Sequence, residues 1–189
     1  ATYLRHRGEY TNPKHKVPAG IPEVFGLSID QEPTNRLEFA RWLVSEENPI
    51  GDRVVVNRAW RSLFGAGLIR TSGDFGTQSA SPDHPELLDW LAVEFRKNGM
   101  SLKKLHRLLV NSSTYRQSSE TSEKLFEMDP QNRLLARGPR FRLTGELIRD
   151  HMLLASGKLS KKMFGPGVYP PQPKSVLSHA FGSKAWNVS

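Results

Sequence analysis

The sequence predicts a mainly α-helical protein, with irregular Pro-rich N- and C-terminal arms around a helical core of about five helices. Three observations predict it. Apolar residues recur at helical spacing in successive segments between positions 35 and 157. Capping and stop residues bracket those segments. Prolines crowd the flanks, at Pro13, Pro18, Pro22 and Pro33 on one side and Pro166, Pro170, Pro171 and Pro173 on the other, where each removes a backbone donor and disfavours helix before it. The expected organisation is an arm over 1–34, a helical core over 35–157 and a Pro/Gly-rich arm over 158–189 that continues beyond this chain.

In the first arm, Tyr3 and Leu4 suit a short strand and the rest reads as irregular. Thr34 or Asn35 caps a first helix, whose apolar face is Leu37, Ala40, Trp42, Leu43 and Val44, and Asn48-Pro49 stops it. Asp52 is expected to cap a second helix to about Phe64. Its buried stripe is Val55, Val56, Ala59, Trp60 and Leu63, with Arg53, Asn57 and Arg61 elsewhere. Gly65 and Gly67 end it. A long loop follows to Pro82, and loops of that length are often functional.

Pro85 opens a third helix, with Leu87, Leu88, Leu91, Ala92 and Phe95 inward and Gly99 closing it. Ser101 caps a fourth, with Leu102, Leu105, Leu108, Leu109 and Ser112 along one side. Glu123 to Met128 suits a short helix. Leu143 to Ser156 suits a last long one, with Leu143, Leu147, Ile148, Leu154 and Ala155 as its apolar face. The ending that contains Trp186 reads as extended.

Composition narrows the function classes. The 189 residues carry 27 Lys+Arg against 19 Asp+Glu, a net charge of +8, and no cysteine. Disulfides, iron–sulfur clusters, a thiol nucleophile and covalent haem attachment are excluded within this chain. The positive balance suits an anionic glycan, an acidic protein surface or nucleic acid. Nucleic acid is disfavoured because the basic residues are scattered rather than run together. No apolar stretch approaches the roughly 20 residues of a membrane span.

Several constellations carry candidate chemistry. Asp74 and His84 make the catalytic candidates, as a general base pair or two metal ligands; alternatively Asp74 closes a turn and His84 satisfies nearby backbone. The GDFG string around Asp74 matches a kinase magnesium motif but lacks its companions. Asn57, Arg58 and Arg70 are ligand-binding candidates: the two arginines can clamp a carboxylate, sulfate or phosphate, or pair structurally with Asp74, Asp89 or Asp150. Tyr115 and Arg116, with Gln117 among hydroxyl residues, suit sugar binding or a satisfied helix end. Arg149 and Asp150 read as a structural ion pair, buried against another element. His151 reads as partly buried. No histidine spacing indicates a metal site, so the expected metal is none.

Five ordered motifs carry a resemblance: NRLEFARWLV from Asn35, VNRAWRSLFGAGLIRTSGDFG from Val56, HPELLDWLAVEF from His84, SLKKLHRLLVNSSTYRQSS from Ser101 and LTGELIRDHMLLASGKL from Leu143. They resemble the planctomycete cytochrome-c-associated C-terminal domain of unknown function, found in large exported planctomycete and verrucomicrobial proteins. The opening Arg7 to Phe25 is similar to that family's entry segment, whereas His151 stands where a small residue is usual. The resemblance implies a truncated N-terminal part of that domain and a periplasmic or extracellular setting. It implies no cofactor in this chain, with haem c left to another part of the full-length protein. It also implies partners among the other domains of the same polypeptide, with polysaccharide as a candidate. Three functional readings stand: a scaffold or substrate-facing part of a cytochrome-c-linked redox system acting on carbohydrate; a non-catalytic binding module for an anionic glycan or acidic protein partner; and a nucleic-acid-binding helical domain. Whether the chain is an enzyme stays open.

Overall fold

The computed structural model describes residues 2–25 and 33–173. Among them it is mainly α-helical, with a single two-stranded sheet. The chain divides into two compact units, Ala1–Phe141 and Arg142–Ser189.

The first unit opens on a hairpin. Strand β1 (Thr2–Arg5) pairs antiparallel with β2 (Pro13–Val17), Thr2 opposite Val17 and Tyr3 opposite Lys16, with a bulge before Arg5 meets Pro13. The first strand falls where Tyr3 and Leu4 place it. The second was not expected, because Pro13 marks the run as a breaker; proline is tolerated here at the first position of an edge strand.

Helix α1 spans Arg36–Leu43. Asn35 Oδ1 accepts from the Leu37 and Glu38 amides at 3.0 Å each. Glu38 reaches back to the Thr34 amide at 2.7 Å, a reciprocal cap. That amide bond, with the Thr34 hydroxyl and Asn35 amide, holds the Glu38 carboxyl below its usual range. The expected apolar face is largely exposed: only Trp42 is buried, while Leu37, Leu43 and Val44 face solvent. Trp42 instead joins Phe39 and Phe25 in a small aromatic cluster, ring centroids 5.6 and 5.7 Å away.

Helix α2 (Gly51–Phe64) is not capped by Asp52. Asn48 does that work: its Oδ1 accepts from the Ile50 and Gly51 amides at 3.1 and 3.0 Å, and its Nδ2 donates to the Leu43 carbonyl. Asp52 lies in the first turn and takes Arg96 Nε at 2.6 Å. Helix α3 (Pro85–Lys97) packs on α2, and α4 (Leu102–Asn111) packs on both.

Their shared core contains Val56, Trp60 and Phe64 from α2, Leu88, Leu91 and Phe95 from α3, and Leu105 and Leu109 from α4. The Trp60 and Phe64 rings stack at 3.9 Å. Leu102 and Leu108, expected on the inner side of α4, are exposed. Val55 also faces outward, so the α2 stripe is centred one position later than its apolar pattern suggests.

Ser112 turns extended, φ −65° and ψ 148°, ending α4 and capping a separate one-turn helix, α5 (Ser113–Arg116). Helix α6 (Glu123–Met128) follows. The second unit contains α7 (Gly145–Ala155), capped by Thr144. It buries none of its residues; Leu147, Ile148 and Leu154 are exposed because, among the described residues, its own unit supplies no second helix to cover them. His151 is likewise exposed. Trp186 and His179 lie outside the described residues.

Candidate functional site

The loop after α2 is fixed by one side chain. Asn57, expected off the buried stripe, has no solvent exposure. Its Nδ2 donates to the Ile69 carbonyl and its Oδ1 accepts from the Ile69 amide, both at 2.9 Å. A buried amide with both ends paired avoids the desolvation cost that otherwise forbids it. Gly67 makes room: a Cβ there would stand 2.7 Å from the Asn57 amide atoms.

This anchor settles where the candidates go. Asp74 is exposed, and its Oδ1 accepts from the Gly76 amide at 2.8 Å in a local turn. His84 Nε2 contacts the Arg133 carbonyl at 2.8 Å, 49 positions along the chain. No hydrogen bond or ion pair joins Asp74 to His84; the Asn57–Ile69 pair and the Phe75 ring, packed on the core, hold the loop instead. Among the described residues no group of three His, Asp or Glu side chains stands together to hold a metal ion.

Arg58 is exposed on α2 and makes no hydrogen bond or ion pair among the described residues. Arg70 lies elsewhere, 3.9 Å from Asp83. The partners considered for these arginines pair otherwise, Asp89 with Arg53 at 2.6 Å. Tyr115 lies edge-on to Phe64 at 5.6 Å, against the core. Arg116 is exposed, and Gln117 Nε2 donates to the Leu135 carbonyl at 2.8 Å. Arg149 and Asp150 do pair, but with each other, at 3.8 Å and about half exposed. Both are exposed on α7 rather than buried as expected. Adjacent residues met because both side chains lie on the open surface of α7.

Residues 129–141, which follow α6, build the most developed site. Asp129 is 5% exposed, and its two carboxylate oxygens accept from the Arg133 and Leu134 amides at 2.8 Å. Burial pushes its carboxyl up. Those two amides, with the Arg137 and Arg70 charges, outweigh that and hold it below the usual range. Arg137, 7% exposed, donates through Nη2 to the Asp129 and Pro130 carbonyls at 2.7 and 3.0 Å and lies over the Phe126 ring. Asn132, at φ 51°, exchanges hydrogen bonds with the Arg137 backbone at 2.8 and 3.3 Å.

The segment is then tied to the helical core. Arg133 grips Asp83 through Nε, 2.9 and 3.0 Å from its two oxygens, and also through Nη2. Those bonds, aided by the Arg133, Arg70 and His84 charges, hold the Asp83 carboxyl below its ordinary range. Gly138 donates to the Ser118 carbonyl at 2.8 Å. The Phe141 ring covers Gly65, the residue after α2, whose φ of 80° and 2.8 Å clearance leave no space for a Cβ.

Between this segment, the end of α2 and the start of α3 lies a cleft of about 520 Å³, within the ~300–1,000 Å³ range of small-molecule sites. Arg70, Arg133, Arg137 and Arg140 line it, with Asp83 as the only acidic side chain among the lining residues. Phe126 and Phe141 add half-exposed aromatic surface. His84 is there too, and Asp74 is not. A readable signal existed: Asp129-Pro130 and Gly138-Pro139 bracket a stretch carrying Arg133 and Arg137, with Arg140 just beyond.

The fold and site define a small helical module with an arginine-lined cleft. Residues 35–187 match the family PSD1, protein of unknown function (DUF1553), and the chain belongs to it. No curated protein and no solved structure matches the chain.

Proposed function

We propose that this domain is a binding module that receives an anionic group in the arginine-lined cleft. One observation carries the reading: four arginines line one cleft whose lining includes a single carboxylate. Arginine forks match the two-oxygen geometry of carboxylate and sulfate. Arg133 and Arg137 are held by Asp83 and by the Asp129 and Pro130 carbonyls before any ligand arrives, which lowers the ordering cost of binding. Acidic glycan segments and acidic protein segments both carry the required group.

The family resemblance supports a wider setting, an exported multidomain protein in which a cytochrome c module handles electrons and this domain holds a substrate or neighbouring segment. In that setting the chemistry belongs to other parts of the polypeptide.

Titration calorimetry with glucuronate, sulfate and neutral glucose tests the reading. Anion binding that survives physiological salt, weakens in Arg140→Ala and persists in Arg58→Ala is the expected result. Equal loss in both variants would reduce the effect to net charge, and absence of anion binding would sink the proposal.

A further inference from the structure

The cleft's cations are not equivalent. Arg133 has its Nε and Nη2 on Asp83. Arg70 faces the same carboxylate at 3.9 Å and donates through Nη2 to the Gln131 carbonyl at 3.3 Å. Arg140 is exposed and makes no hydrogen bond among the described residues. Arg137 is nine-tenths buried, yet its Nη1 has no partner, although its Nη2 has two. A buried donor left without an acceptor is costly, and Arg137 is part of the cleft lining.

Arg140 is therefore open to solvent and Arg137 Nη1 is buried in the lining without an acceptor, while Arg133 holds a carboxylate of the chain itself and Arg70 faces it. Arg137 lies over Phe126, and the half-exposed rings of Phe126 and Phe141 line the same cleft as Arg140.

Resting on the anion-binding reading, we infer that the cleft selects a ring-bearing monocarboxylate, with Asp83 as the residue that sets this selectivity. The ligand carboxylate takes the Arg140 and Arg137 donors, and its ring lies against Phe126 and Phe141. Asp83 fills the Arg133 fork, so a second negative charge on the ligand finds no second fork free. Inorganic phosphate, a compact dianion with no apolar body, is disfavoured on both counts. The shared chemistry has two sources, a sugar acid or an aromatic acid, and the rings accept either face.

The test measures affinities of the folded chain for glucuronate, benzoate and inorganic phosphate, in wild type, Arg140→Ala and Asp83→Asn, with thermal melts alongside. Wild type should bind one or both carboxylates more tightly than phosphate; glucuronate ahead marks a sugar acid, benzoate ahead an aromatic one. Arg140→Ala should lose about tenfold for the carboxylates, and Asp83→Asn should gain about tenfold for phosphate as the Arg133 fork is released. Wild-type preference for phosphate overturns the selectivity inference without needing the Asp83 variant to fold. Unchanged phosphate affinity in a folded Asp83→Asn overturns it as well, while leaving the anion-binding reading intact. If no anion binds wild type or either variant, both fall together.

Discussion

Asn57 and Ile69 exchange two hydrogen bonds of 2.9 Å, so that a side-chain amide treats a loop residue as a strand would treat its neighbour. The pair sits inside the core with no solvent access at Asn57.

Replacing Asn57 with Ala removes both partners of the Ile69 backbone. Each buried group left unsatisfied costs about 1–3 kcal/mol, so the expected loss is about 2–6 kcal/mol in urea unfolding. A loss under about 1 kcal/mol would show that the loop repacks or water enters.

Arg96 and Arg53 make contrasting ion pairs. Arg96 binds Asp52 at 2.6 Å and the Val44 and Ser45 carbonyls at 3.0 Å each, joining α3 to the α1–α2 connection. Arg53 meets Asp89 on an open surface. Arg96→Ala should cost about 2–3 kcal/mol, since several charge-assisted bonds are lost. Arg53→Ala should cost about 0–1 kcal/mol. Chemical denaturation of the two variants side by side checks the order.

Acid should loosen the segment that follows α6. Asp83 and Asp129 both have carboxyls held below the ordinary aspartate range. A depressed folded value means the contribution is complete above the unfolded value, about 3.9, and is lost as pH falls through the lower folded one. Stability should therefore decline below about pH 4, and more shallowly in Asp129→Asn than in wild type. Melting temperatures measured between neutral and strongly acidic pH test this; parallel curves would exclude Asp129 as a contributor.

Asp74→Ala should be nearly silent. Its one side-chain hydrogen bond, from the Gly76 amide, lies on an exposed loop, and water replaces such a partner at about 0.5–1.5 kcal/mol or less. A larger drop in the thermal midpoint would mean that the loop depends on this turn.

How much was legible follows from the range of each interaction. The third helix, with Pro85 first and Gly99 after its end, is written in local residues, as is the helix Glu123–Met128. The α1 face misled because periodicity reports which residues share a side, not whether anything covers it. Asn57 misled in the opposite sense: its polarity argued for the surface, and only the approach of Ile69, twelve positions away, makes it interior. The same limit hid the cleft. Asp83 and Arg133 are fifty positions apart, and no spacing rule links them. Asp74 and His84 looked joined because they are near in sequence, whereas the partner of His84 is the Arg133 carbonyl.

Arg137 is oriented by main-chain carbonyls and by the Phe126 ring, none of which is an anion. Its place is fixed by these groups, while the nearby Asp129 carboxylate offsets part of its charge. This part of the wall thus acts as a fixed fitting, whose direction is decided by the chain's own carbonyls during folding.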